Sequence, residues 1–310
     1  MRRTPYIFVH ADDYGMTPAS CKRIEQCLKH GCLNSISIMP NGCLQKSSER
    51  EIMGEIPCAI HLNLVEGQSL VSPEEVDLLV SPEGYMQHSF FGLLMLSISP
   101  KRKRLKEQVY QELKAQIHTV MEYLPENSPV FIDSHQHTHM IPMIFQTMMR
   151  IIQEEQIQVQ YMRVPVEPIL PFLQEFSLYH TYRPINLVKN MVLRFLWLFN
   201  KKQFQNSGIK TALFCGIIFS GNMDEKRVLK IFPKFYNIAR RKGCNLEFLF
   251  HPGYIEKGEE FLDPYKKDFH SFYLSNGRKE EYMTLHSRKW CALMKKVNRK
   301  ADYEGKKSRK

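Results

Sequence analysis

Seven short runs rich in Val, Ile and Phe recur along the chain with helical stretches between them, and this alternation restricts the fold more than any other feature. The runs are 5–11, 33–39, 56–64, 130–134, 159–165, 211–219 and 245–251. Most are continuously apolar, the pattern of parallel strands covered on both faces. Helical patterning is expected over 18–31, 103–123, 141–156, 186–203 and 224–242, with Gly31 and Gly243 at helix C-termini. Strand–helix units in this order predict an α/β protein, either a barrel or a doubly wound sheet. One domain is expected over 1–287, with insertions at about 66–100 and 166–210.

Charge is unevenly spread. Residues 288–310 hold ten Lys/Arg against two acids, a net of +8, which leaves +3 for the other 287 residues. The segment reads as a basic C-terminal tail, solvated or drawn to an anionic surface such as lipid headgroups. A near-neutral body does not indicate a nucleic-acid groove. The insertion helix from Leu187 to Phe199 is apolar almost all round, broken only by Lys189, Asn190 and Arg194. It suits a buried or subunit-interface helix, which leaves a homodimer open, or a lid or lipid-facing helix beside the site. No uncharged apolar run reaches the roughly 18 residues of a spanning helix. No secretory signal is evident, because the first apolar stretch stops at Val9. The eight cysteines form no C-x-x-C pair and are expected to be reduced thiols in a cytoplasmic protein, one that could be peripheral at the inner membrane face.

The chemistry gathers at the ends of the strand runs. Asp12 and Asp13 follow the first run, where one carboxylate can bind a metal while the other handles a proton. His61 closes the third. Asp133-Ser134-His135-Gln136-His137-Thr138-His139 follows the fourth, and three alternate histidines there are hard to explain as packing. Asp133 could hold a ligand imidazole, and the surplus histidines could orient ligands or touch substrate. Arg163 and His251 end two further runs. In α/β barrels and open α/β sheets the site lies at this edge, so the convergence points to a divalent-metal hydrolase.

Ala11-Asp12-Asp13-Tyr14-Gly15, His61-Leu62-Asn63-Leu64, Asp133 to Met140, Arg163-Val164-Pro165 and His251-Pro252-Gly253-Tyr254 together resemble the YdjC-like carbohydrate deacetylases. The stretch Gly216 to Met223 is more similar to the hopanoid-associated branch of that family than to the chitooligosaccharide one. The resemblance implies a distorted (β/α) barrel of about seven parallel strands, related to the polysaccharide deacetylases. It implies one divalent ion, Mg²⁺ or Zn²⁺, and removal of acetyl from an N-acetylated sugar or glycolipid. By position, Asp13, His61 and His135 match the metal ligands, Asp12 the catalytic base and His251 the general acid. Arg163 would keep Asp12 ionised. Tyr14, Asn63, His137 and His139 are the candidate substrate contacts. Two other readings stand beside this one: a metal-dependent hydrolase of another amide, ester or lactone, and a basic membrane-surface or nucleic-acid binding protein without activity.

Overall fold

In the computed structural model, which describes residues 3–44, 52, 54–125 and 128–307, every expected apolar run carries a strand. The strands are β1 (Ile7–Tyr14), β2 (Ser35–Ile38), β3 (Cys58–Leu62), β4 (Val130–Ser134), β5 (Val159–Met162), β6 (Leu213–Cys215) and β7 (Leu246–Phe250). All six neighbouring pairs are parallel, in the order β5-β4-β3-β2-β1-β7-β6. The order steps round the sheet as a barrel requires, and the two edges nearly meet. Met162 N–H donates to Lys210 O at 3.0 Å and Lys210 N–H to Gln160 O at 3.3 Å, joining β5 to the chain that enters β6. The architecture is a seven-stranded curled α/β barrel, closed at that seam by one bridge. Both faces of the strands are covered, and β2, β3 and β7 are buried at every position; His10, Ser35, Ser37, Asp133 and Glu247 are polar groups buried among them.

Helices fill the connections: α1 (Pro18–His30), α2 (Phe90–Ser97), α3 (Arg102–Met121), α4 (Pro142–Glu154), α5 (Pro184–Ser207), α6 (Glu225–Lys242), α7 (Lys267–Tyr273), α8 (Asn276–Leu285) and α9 (Arg288–Lys307). A single turn, Leu170–Leu173, precedes α5. Helix α1 starts on a reciprocal Thr17–Ser20 capping box, which satisfies its first amides. Gly243 ends α6 in the left-handed region at φ 67°, as helix-terminal glycines do. Gly31 serves differently. Its φ is −105°, and a Cβ there would come within 2.6 Å of Cys27 O and 2.5 Å of Leu285 O.

Two expectations need correction. The run 211–219 yields only three strand residues, because the Glu167 carboxylate takes the amides of Gly216 and Ile218 away from the sheet. The basic tail is a packed helix. Trp290, Cys291, Met294 and Ala301 of α9 are buried, with the Trp290 ring against Phe232 and Phe248. The Asn298 amide accepts from Ile7 N–H at 2.8 Å and donates to Ile7 O at 2.9 Å, holding the start of β1. Apolar residues at 290, 294, 297 and 301 follow helical spacing. Counting charge concealed that stripe, and the domain runs on through 307 instead of stopping at 287.

Candidate metal centre and active site

The two adjacent aspartates owe their placement to an irregularity in β1. Its register with β2 shifts between Ala11 and Tyr14, and Asp13 sits at φ 70°, in the left-handed region that a side chain other than glycine rarely occupies. Strict strand geometry would send successive side chains to opposite faces. The bulge turns both carboxylates toward one atom: His61 Nε2 lies 3.8 Å from Asp12 Oδ2 and 3.5 Å from Asp13 Oδ1. Gln136 and His137, after β4, are also left-handed at φ 50° and 60°. Such backbone cost, of order 1–3 kcal/mol each, collects where a site must be shaped.

His61 and Asp133 are register partners on β3 and β4. His61 Nδ1 donates to Asp133 Oδ1 at 2.6 Å, which leaves Nε2 as the ring's free nitrogen. Asp133 is held in turn by the Ser37 hydroxyl at 2.5 Å and by Arg163 at 2.8 Å. His135 Nδ1 is 3.1 Å from Asp13 Oδ1, and its Nε2 is 3.2 Å from Glu66 Oε2. Asp13, His61 and His135 each offer one atom, all within 4.8 Å of one another. The Nε2 atoms of both histidines are buried without a hydrogen-bond partner among the described residues. Burial alone would favour neutral rings, but Asp12 and Asp133 push His61 up to about 10, and Asp13 with Glu66 pushes His135 up to about 9. A pocket that draws protons this strongly also suits a cation, and two imidazoles with one carboxylate form a usual donor set for a divalent metal.

Arg163 is fully buried and carries three carboxylates. It pairs both oxygens of Asp12 at 2.9 Å, Asp133 at 2.8 Å and Glu247 of β7 at 2.7 Å. Burial would raise the Asp12 carboxyl, yet Arg163 and then His61 outweigh it and hold it well below the usual range. Asp13 likewise overcomes burial through Arg278, whose guanidinium donates to Oδ2 at 2.6 Å.

These groups meet a cavity of about 490 Å³ whose walls include Asp12, Asp13, His135, His137 and His251. His251 Nδ1 lies 3.6 Å from Glu281 Oε2, the same oxygen that accepts from the His251 amide at 2.5 Å. His137 also faces the cavity. Burial, then Arg163, keeps it well below its ordinary value and hence neutral.

Three of the expected substrate contacts lie elsewhere. His139 is fully buried, its Nε2 donating to Arg163 O at 3.0 Å and its Nδ1 accepting from Ser134 Oγ at 2.6 Å. It is a strut under Arg163. Tyr14 is buried and its hydroxyl donates to Glu25 of α1. Asn63 caps a turn: its Oδ1 accepts from Val65 and Glu66 amides at 3.1 and 3.2 Å, which sets Glu66 over His135. Glu66, Arg278 and Glu281 had not been singled out in the sequence. Glu66 lies in a loop, and Arg278 and Glu281 lie on α8, outside every strand-end motif. Asn63, an Asx-turn former three residues before a lone glutamate, was the only local signal for Glu66.

A family model described as YdjC-like protein matches residues 6–296. The chain belongs to the YdjC-like family. Among its relatives, a carbohydrate deacetylase of Mus musculus is 32% identical over 165 residues, 52% of this chain and 51% of that protein. The corresponding Homo sapiens protein is 30% identical over 165 residues, 52% of this chain and 49% of its own length. This chain thus spans about half the length of these curated relatives. A chitooligosaccharide deacetylase of Yersinia enterocolitica aligns over more, 22% identical across 81% of this chain and 83% of that one. The solved structure of an Enterococcus faecalis V583 protein described as a cellobiose-phosphate cleavage protein superposes with a TM-score of 0.64 over 95% of each chain, at 17% identity. That likeness concerns the fold alone.

Proposed function

We propose that this YdjC-like protein is a metal-dependent carbohydrate N-deacetylase. It hydrolyses the acetamide of an N-acetylated amino sugar, in an oligosaccharide or a glycolipid, and releases acetate. The observation that carries the reading is the buried Asp13–His61–His135 set, whose two Nε2 atoms make no hydrogen bond among the described residues, next to the Arg163-paired Asp12 and beside a cavity that His251 also lines. The names of the relatives support the same bond type.

Asp13, His61 and His135 would hold the ion, and their two imidazoles suit zinc better than magnesium. A divalent ion there supplies Lewis acidity toward water and the acetyl carbonyl. The chain's own residues do the rest. Asp12, kept ionised by Arg163, accepts the proton of the attacking water. His251 delivers a proton to the amide nitrogen, so that an amine departs and not an amide anion. Glu281, beside Nδ1, orients that ring. Asp133 fixes the His61 tautomer. Neutral His137, whose Nδ1 has no partner among the described residues, is placed to bind a sugar hydroxyl.

The test is acetate release from N-acetylglucosamine, chitobiose and a lipid-linked N-acetylglucosamine, with chelator and with Mg²⁺ or Zn²⁺ restored. Metal-dependent acetate is expected. Metal-loaded protein that frees no acetate from any of them, yet cleaves another ester, lactone or amide, would overturn the deacetylase reading.

A further inference from the structure

Helix α5 is apolar on both its faces, and its buried face is also the one that carries its asparagines. The face it turns to the barrel carries Asn186, Asn190 and Asn200, all buried. Their amides donate to Ile218 O, Glu167 O and Met140 O, and these bonds act beside the apolar packing of Leu193, Leu196 and Phe204 on the same buried face. The opposite face is apolar and open. Ile185, Val188, Met191, Phe195, Leu198 and Phe199 recur at helical spacing and are each about half exposed or more. Helix α2 continues the same surface. Phe90 packs in one cluster with Leu193 and Trp197 of α5, while Phe91, Met95 and Ile98 stay exposed at 55%, 62% and 70%. Apolar surface this continuous is uncommon on a protein that meets only water.

The charges around it are mostly basic, with Asp268 the acid at the cavity mouth. No acid occurs between Glu175 and Asp224, a stretch that holds Arg183, Lys189, Arg194, Lys201, Lys202 and Lys210. On the α2 side, exposed Lys101, Arg102 and Lys103 make no ion pair among the described residues. A second copy of this chain on this face would bring like charges together. An anionic bilayer meets both features, since its acyl boundary takes the aromatic and aliphatic side chains and its headgroups take the lysines. Among the described residues no helix is long and apolar enough to cross a membrane, so the contact would lie in the interface plane. The surface also borders the site, because Phe91 of α2 and Ile185 and Lys189 of α5 line the mouth of the cavity that reaches Asp12 and His251.

We propose that the exposed faces of α2 and α5 seat the protein on an anionic lipid bilayer, with the cavity mouth turned toward the headgroups. The proposal is independent of the bond cleaved, and its test needs no substrate. The full chain is floated with phosphatidylcholine vesicles and with vesicles containing phosphatidylglycerol, at low and at high salt. Binding is expected to the anionic vesicles only, and to weaken with salt. Phe195→Ser with Leu198→Ser should lower the partition by about tenfold or more, from lost apolar burial. Lys201→Gln with Lys202→Gln should lower it by roughly 25-fold, at about fivefold per cation. Both double variants lie on the surface, and an unchanged thermal melt would show that they fold. Absence of binding to anionic vesicles overturns the proposal. So does a dimer in solution that the Phe195→Ser, Leu198→Ser variant splits, since a second copy would then be what covers this face.

Discussion

Two histidine–aspartate clusters lie side by side at the barrel mouth, and they differ in how completely the protein occupies them. In the first, His10, Asp12 and Asp133, every group has protein partners. His10 is held by Ser35 at 2.9 Å and Ser37 at 2.6 Å, and both carboxylates lean on Arg163. In the second, Asp13, His61 and His135, the Nε2 atoms of both imidazoles make no hydrogen bond among the described residues, although Glu66 Oε2 lies 3.2 Å from that of His135. Both clusters are fully buried, and their composition is nearly the same. Burial and residue type therefore do not separate a metal site from a brace; the unfilled hydrogen-bonding capacity does, because a buried polar atom without a partner is costly unless something else supplies one.

The largest effect should come from Asp12→Asn, which removes the proposed base and keeps the shape of its cluster. Acetate release should fall by about 10²–10⁴-fold while metal content, read by elemental analysis, stays near stoichiometric. Lost metal in that variant would reverse the roles assigned to the two clusters.

His139 gives a sharper contrast, since both its nitrogens are hydrogen-bonded whereas, among the described residues, Nε2 of His61 and of His135 makes no hydrogen bond. Burial depresses it from 6.5 to about 4. The folded state thus prefers the neutral ring. The associated stability is present above pH 6.5, is lost as pH falls through about 4, and amounts to roughly 3 kcal/mol. Denaturant midpoints measured across that window should fall more steeply for the parent chain than for His139→Gln. Parallel curves would mean that the folded state does not hold His139 neutral.

Asp133 belongs to both clusters by contact, pairing with Arg163 and orienting His61. Asp133→Asn should weaken metal binding by about 10–100-fold, measured by competition with a chromogenic chelator. An unchanged affinity would mean that the two clusters are uncoupled.

The strands were readable because parallel strands covered on both faces must be apolar throughout, and their ends marked where Asp12, His61, Asp133 and Arg163 would meet. The direction of a side chain was harder to read. Tyr14, Asn63 and His139 sit inside the same motifs as the cavity residues, yet a bulge or a turn aims them into packing. Glu66, Arg278 and Glu281 reach the site from a loop and from α8, where no periodicity announces them. The tail was misjudged because lysines on the outer face of α9 dominate the charge, while four apolar positions on its inner face decide the structure.

The seam between β5 and β6 also bears on the candidate site. Six of the barrel's seven joints are laced by strand ladders, and among the described residues the backbone of the seventh is fastened through residue 210 alone. A ring breathes first at its thinnest joint. The residue after β5 is Arg163, and the residue after β6 is Gly216, whose amide is held by Glu167. Arg163, whose guanidinium pairs both oxygens of Asp12, thus sits next to the weakest joint of the ring. Amide exchange should therefore be faster at Met162 and Lys210 than along β1, and the ring would come undone beside the candidate site before it does anywhere else.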